Sequence, residues 1–188
     1  MHTRVFVMLT ATVAAAVLAG CGGSDTNSTA ADVTDTDHNA ADVTFATDMI
    51  PHHRQAVMMA ELAESRSDNP DVLGLASAIR DAQDPEIQTM SGWLEEWGEP
   101  VPGEMDGMEG MDMPGMMSEQ EMATLEAAEG DAFDEMFLES MIAHHTGAIQ
   151  MAQAQQADGQ YADAVDLAEQ IEQSQTAEIA TMEDLLQG

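Results

Sequence analysis

The phrase Met-Ile-x-His-His is written twice in this chain, as Met49-Ile50-Pro51-His52-His53 and as Met141-Ile142-Ala143-His144-His145. The two copies hold four of the six histidines and lie 92 residues apart. The same offset pairs Phe45 with Phe137, Ala56 with Ala148, Met59 with Met151, Leu75 with Leu167, Ile79 with Ile171, Gln83 with Gln175, Glu86 with Glu178 and Met90 with Met182. A gapless match of this length makes the chain two copies of one unit, so both halves must solve the same folding problem. Two copies are too few for a solenoid.

The composition of that unit restricts its structure to helix. Ala, Glu, Gln, Met and Leu dominate, and runs of β-branched residues are few, which favours helix throughout. The pattern predicts an all-α fold of two helical hairpins: helices over about 44–65 and 70–97, then about 132–156 and 162–186. Pro70 sits well at a first helical position, Gly98 and Pro100 stop the second helix, and Ser118-Glu119-Gln120-Glu121 is a capping box that opens a short extra helix. Pro51 lies in the first turn or kinks the first helix, and Pro85 is a further candidate kink.

Helical geometry then assigns faces. At 100° per residue, Met49, His52, His53, Ala56, Met59 and Ala60 fall within an arc of ~120°. Met141, His144, His145, Ala148, Met151 and Ala152 do the same. On the second helix of each hairpin, Leu75, Ile79, Gln83, Glu86, Ile87, Met90, Trp93 and Leu94 share one arc, as do Leu167, Ile171, Gln175, Glu178, Ile179, Met182, Leu185 and Leu186. Polar residues thus stand twice on faces that should be buried. A buried carboxylate needs a donor, a cation or water, and the facing histidines are the candidates for Glu86 and Glu178. Each Glu then either orients a histidine whose other nitrogen holds a metal, or makes a metal-free hydrogen bond that fixes helix register.

Ligand softness narrows the metal. Met49 stands three and four residues before His52 and His53, so thioether and imidazole share one helix face. Met141 does the same for His144 and His145. Imidazole with thioether suits copper, Cu(I) above all and Cu(II) second, better than Mg, Ca or Mn. A di-iron carboxylate bundle places Glu-x-x-His on two helices, whereas Met49, Ile50, Met141 and Ile142 occupy those positions here. Met59, Met90, Met151 and Met182 are further soft donors on the same faces, with Gln83 and Gln175 beside the carboxylates. Between the hairpins, Met105, Met108, Met111, Met113, Met116 and Met117 crowd a segment rich in Gly, Pro and acids. It serves either to capture copper through several sulfurs or as an apolar latch over the bundle.

The N-terminal region is of another kind. Arg4 precedes an apolar run over residues 5–18, too short for a membrane span, which reads as a secretory signal over 1–20. Leu18-Ala19-Gly20-Cys21 looks like the lipobox of a bacterial lipoprotein. That resemblance implies that Cys21 carries lipid and anchors the protein to the extracytoplasmic face of the cell membrane. As the sole cysteine, Cys21 offers no disulfide and no thiolate pair. Residues 21–42 read as a flexible acidic tether in which His38 is solvated. Residues 43–187 form the helical domain: repeat one over 43–98, the Met-rich linker over 99–117 and repeat two over 118–187.

Charge excludes several partners. With four arginines, no lysine and 36 acidic residues, the net charge is −32, which makes nucleic acid and anionic lipid headgroups poor partners. The acidity is either a solvated coat suited to high salt or a surface that concentrates cations.

The paired His-His segments, Phe133-Asp134 with Phe137-Leu138, His144-His145-Thr146-Gly147-Ala148, Gly115-Met116-Met117-Ser118 and Trp93-Leu94-Glu95-Glu96-Trp97-Gly98 resemble the domain-of-unknown-function family 305, also called CopM-like. The resemblance covers about residues 43–187. It implies a ferritin-like four-helix bundle, exported or membrane-anchored, with copper binding in some members. Carried to this chain, the implied ligands are His52, His53, His144, His145 and nearby methionines. The expectation is a lipid-anchored, non-enzymatic protein that buffers, sequesters or transfers copper, with a copper-handling protein as partner. Two rivals stand beside it: a metal-dependent oxidase or peroxidase of the ferritin-like kind, and a metal-free envelope interaction protein.

Overall fold

The computed structural model describes residues 38–103 and 113–188. The signal segment, Cys21, most of the tether, and Met105, Met108 and Met111 lie outside the described residues. Within the described residues are five helices and no strand: α1 (Ala40–Arg66), α2 (Pro70–Trp97), α3 (Glu119–Ala127), α4 (Asp131–Asp158) and α5 (Ala162–Gln187). α1 and α2 form one hairpin, α4 and α5 the other, and the hairpins meet chiefly along α1 and α4. The result is the four-helix bundle that the duplication implies, with α3 as a short addition against α1 and α4.

Local chemistry explains the ends. Asn39 caps α1, its side chain accepting from the N–H groups of Ala41 and Asp42 while Asp42 accepts from Asn39 N. α1 therefore starts at Ala40, and the tether expected up to residue 42 ends before Asn39. The cause is a reciprocal cap that satisfies helix-end donors. Pro51 consequently lies in the interior of α1 and not in its first turn, and lacking an N–H it makes no i→i−4 bond to the Thr47 carbonyl. The Ser118 capping box forms as expected. Gly98, at φ 76°, closes α2, and Glu99 N–H donates back to Leu94 O at 2.8 Å.

Two further expectations need correction. His38 is not fully solvated: it is half-buried and stacks on Trp97, with ring centroids 4.3 Å apart. Leu186, placed by periodicity on the buried face of α5, is 38% exposed because it sits in the last turn. Elsewhere the assigned faces are buried, with Met151, Ile87, Leu167, Ile179 and Leu185 half-buried at their margins. Glu86 and Glu178 are half-buried where full burial was expected, because each carboxylate sits at the edge of its helix face.

Asp42 joins the hairpins. It is fully buried and accepts from Gln155 Nε2 and from the backbone N–H groups of Gln160 and Tyr161 in the α4–α5 turn. Burial alone would raise its carboxyl pKa, but the hydrogen bonds from Asn39, Gln155, Gln160 and Tyr161 outweigh it and hold the group below its ordinary value. Replacing Asp42 by Ala strands these donors, so D42A is expected to cost about 3 kcal/mol, within the range for leaving several buried partners unsatisfied. Urea unfolding measures it, and a loss within error of zero contradicts the assignment.

Candidate metal centre

The apolar core is divided by a polar belt. One apolar cluster holds Ala56, Met59, Leu75, Ile79, Phe133, Phe137, Met141 and Met182. The other holds Phe45, Met49, Ile50, Met90, Leu94, Ala148, Ala152 and Ile171. On every long helix the residues between these clusters are polar: His52, His53 and Gln55 on α1, Gln83 and Glu86 on α2, His144 and His145 on α4, Gln175 and Glu178 on α5. Because the repeats run antiparallel through the bundle, the 92-residue duplication brings all four sets to the same height.

The histidines are buried at 1% exposure or less. His52 and His144 meet across α1 and α4, with ring centroids 3.9 Å apart, so the two pairs are neighbours in one cluster and not separate pockets. His53 Nε2 lies 2.6 Å from Glu86 Oε2, and His145 Nε2 lies 2.6 Å from Glu178 Oε2. A carboxylate accepts, so Nε2 carries the proton in both rings. His52 Nε2 lies 3.0 Å from the Pro114 carbonyl oxygen, which can only accept, so the same tautomer holds there. In the neutral ring Nδ1 is then a lone pair, and the Nδ1 atoms of His52, His53 and His145 are each buried without a hydrogen-bond partner. Neither nitrogen of His144 has a partner in hydrogen-bond geometry.

Burial keeps the His52 and His144 rings neutral. It pushes the His52 imidazole down to about 3, against an opposing pull from the Pro114 carbonyl and with help from His53 and His145. His144 is lowered well below its ordinary value by burial first and then by His52, His145 and His53, against a pull from the His52 backbone. Neutral imidazole is the form that ligates metal. Buried imidazole nitrogens without a partner are chemically suited to ligate a cation, and a carboxylate on the far ring nitrogen is a common way of orienting such ligands. Among the described residues, no three His, Cys, Asp or Glu side chains are gathered into a ready metal cage.

Sequence reasoning missed the strap that crosses this belt. Gln55 Oε1 accepts from Met117 N at 2.7 Å, and Gln55 Nε2 donates to Met117 O at 2.8 Å. Arg54 donates to the carbonyls of Pro102 and Gly103, so both described flanks of the Met-rich segment are tied to α1 beside the histidines. Gly115, at φ 81°, lies against α4: a Cβ there would fall 2.5 Å from Ala143 O and 3.0 Å from His144 Cα. A Cβ on Gly147 would fall 1.8 Å from Pro114 O. The signal was present in the duplication itself. Gln55 and Gly147 occupy equivalent positions at the 92-residue offset yet differ, and a mid-helix glycine normally has a packing reason.

The predicted methionines separate into groups. Met49 and Met141 are fully buried one turn before the histidines. Met59 and Met182 pack in one apolar cluster and Met90 in the other, with Met151 half-buried against the latter. Met113, Met116 and Met117 are half-buried on the strap.

Fold and site together define a helical-bundle protein with a buried, carboxylate-backed histidine centre. Residues 42–186 match the family described as Domain of unknown function (DUF305), and the chain belongs to that family, as its motifs imply. A DUF305 protein of Streptomyces coelicolor, described as secreted, is 36% identical with TM-score 0.71, over 78% of this chain and 91% of that one. A DUF305 fragment from Deinococcus radiodurans is 35% identical with TM-score 0.71, over 79% and 96% of the two chains. CopM in its Cu(II)-bound form is 33% identical with TM-score 0.69, over 78% and 95%. CopM also has a Cu(I)-bound structure, at 32% identity and TM-score 0.65 over 78% and 95%. No functionally curated protein matches the chain.

Proposed function

We propose that this protein is an exported copper-binding protein, anchored to the extracytoplasmic membrane face through lipid on Cys21, that buffers, sequesters or hands over copper. The observation that carries it is the set of orphaned Nδ1 lone pairs on His52, His53 and His145, fixed by acceptors at Nε2 and joined by His144. A neutral lone pair kept dry and without a donor is costly, and ligation of a soft cation relieves that cost at the nitrogens that reach it. With no cage of three His, Cys, Asp or Glu side chains among the described residues, the thioethers of Met49 and Met141 complete the donor set. Imidazole and thioether favour Cu(I), while Glu86 and Glu178 balance the buried charge through His53 and His145.

The relatives support the reading: CopM has structures with Cu(I), Cu(II) and Ag bound. The secreted description of the Streptomyces protein fits export. No helix among the described residues is long and apolar enough to cross a membrane; the proposed lipid attachment rests on Leu18-Ala19-Gly20-Cys21.

The test is metal content. A C21S chain purified from copper-supplemented cells is expected to retain copper, and replacing His52, His53, His144 and His145 together by Ala is expected to lower it at least about tenfold, since the strongest donors are gone. A parallel set with Gln at the four positions guards against collapse of the bundle, with helicity followed by circular dichroism. Copper content equal in all three chains refutes the histidine centre.

A further inference from the structure

We propose that Met116, Met117 and Met136 form a second, thioether site for a soft monovalent cation, placed beside the histidine centre. The three side chains line one cavity of about 300 Å³ between the strap, α3 and α4, together with Gly115, Glu121, Thr124, Ser140 and Ala143. All three methionines are half-buried, and Met117 and Met136 pack against the edge of the apolar core.

Three observations favour ligation over filling. The cavity opens to solvent on one side, so an ion can enter it without parting the bundle. Met136 has no counterpart in the duplication: the equivalent position in repeat one is Thr44. This methionine therefore belongs to the strap side of the molecule and not to the repeated core pattern. Finally, the strap is held in place by bonds independent of the sulfurs, through Gln55 to Met117 and His52 to Pro114, so Met116 and Met117 are presented to Met136 by a fixed backbone.

The donor chemistry selects the ion. Thioethers are neutral, soft and weakly basic, so they suit Cu(I) or Ag(I) and bind hard divalent cations poorly. Glu121 on the cavity wall is held by Ser118 in the capping box. It contributes a favourable field without competing for a ligand position. The wall formed by Gly115 and Ala143 is also the backbone beside His144. An ion in this cavity is therefore one layer of backbone from the buried imidazoles, a placement suited to a transfer step. That transfer role rests on the proposed histidine centre, whereas the thioether site stands without it.

Ag(I) serves as the probe because it is redox-stable. Calorimetric titration of the full chain is compared with M116L/M117L/M136L, both carrying M105L/M108L/M111L/M113L to remove the other linker thioethers. Leu conserves volume, so the bundle is retained. The triple variant is expected to lose one Ag(I) equivalent, or to weaken it at least about tenfold, with the remaining equivalents unchanged. The methyl signals of Met116, Met117 and Met136 are expected to shift together as Ag(I) is added. Unchanged stoichiometry and affinity, or shifts of Met116 and Met117 without Met136, overturn the site. The four-histidine Gln variant separates the two ideas: it should keep this equivalent, and its loss there places the thioethers within the histidine centre and overturns a separate site.

Discussion

On acidification from pH 7 to pH 4.5 the metal-free protein loses roughly 3 kcal/mol of stability through His52, one proton at about 1.4 kcal/mol per pH unit below pH 6.5, and His144 adds a loss of the same sign. The sign follows from the direction of the shifts. Burial lowers the His52 imidazole to about 3 and His144 well below its ordinary value. Above pH 6.5 both rings are neutral in the folded and the unfolded chain, and nothing is lost. Below it the unfolded chain takes up protons that the folded chain refuses, so stability falls with pH until the folded pKa is reached. Carboxylates complicate the raw curve, because protonating a chain of net charge −32 relieves repulsion in the same range. H52Q/H144Q removes only the imidazole contribution, since Gln can still donate to the Pro114 carbonyl. Urea midpoints at pH 7, 6, 5 and 4.5 should therefore converge between wild type and variant on neutralisation and diverge on acidification. Parallel curves rule out refusal of protons by these rings.

The duplication explains which parts of this molecule were legible. A residue that must pack against its own repeat is constrained by period and offset together, and both are local sequence properties. Hence the buried faces of α1, α2, α4 and α5, the Glu–His pairs and the closing glycine of α2 could be read directly. The boundary at Asn39 could not, because Asp42 looks like any acidic tether residue until its donors, Gln160 and Tyr161, arrive from more than a hundred positions away. Its match with Asp134 at the common offset was available and pointed into the domain. Their fates differ: Asp42 is saturated with donors, whereas Asp134 Oδ1 is buried without one.

The strap lay beyond reach for a related reason. Its attachments join Gln55 to Met117 and His52 to Pro114, each 62 residues apart, and no periodicity links a loop to a helix face. What the sequence does record is where the two repeats stopped being equal. Arg54 faces Thr146 and Gln55 faces Gly147 in the alignment of the copies. Each departure marks a place where the linker, present once, lies on a bundle built twice. Divergence between internal copies thus points to the asymmetric part of a duplicated protein, as identity between them points to the common core.

Gly147 gives the sharpest measure of that strap. Intrinsic propensity says that Gly→Ala in a helix interior stabilises by about 1 kcal/mol, and G74A and G92A in α2 are expected to do so, since a Cβ at either meets nothing within 4 Å. G147A should reverse the sign. Its Cβ would sit 1.8 Å from the Pro114 carbonyl oxygen and 2.4 Å from the carbon, and neither backbone atom can rotate away. The strap must lift, at a cost of about 1–3 kcal/mol for overpacking. Lifting it takes the Pro114 carbonyl from His52 Nε2, leaving a buried N–H that costs about 1–3 kcal/mol more unless water enters. The sum exceeds the propensity gain, so G147A is expected to be less stable than wild type by about 2–3 kcal/mol. G147A should also increase hydrogen exchange at Met117 N–H, whose acceptor Gln55 holds the strap. If G147A proves as stabilising as G74A and G92A, the strap does not rest on α4, and His52 loses the acceptor that fixes its tautomer.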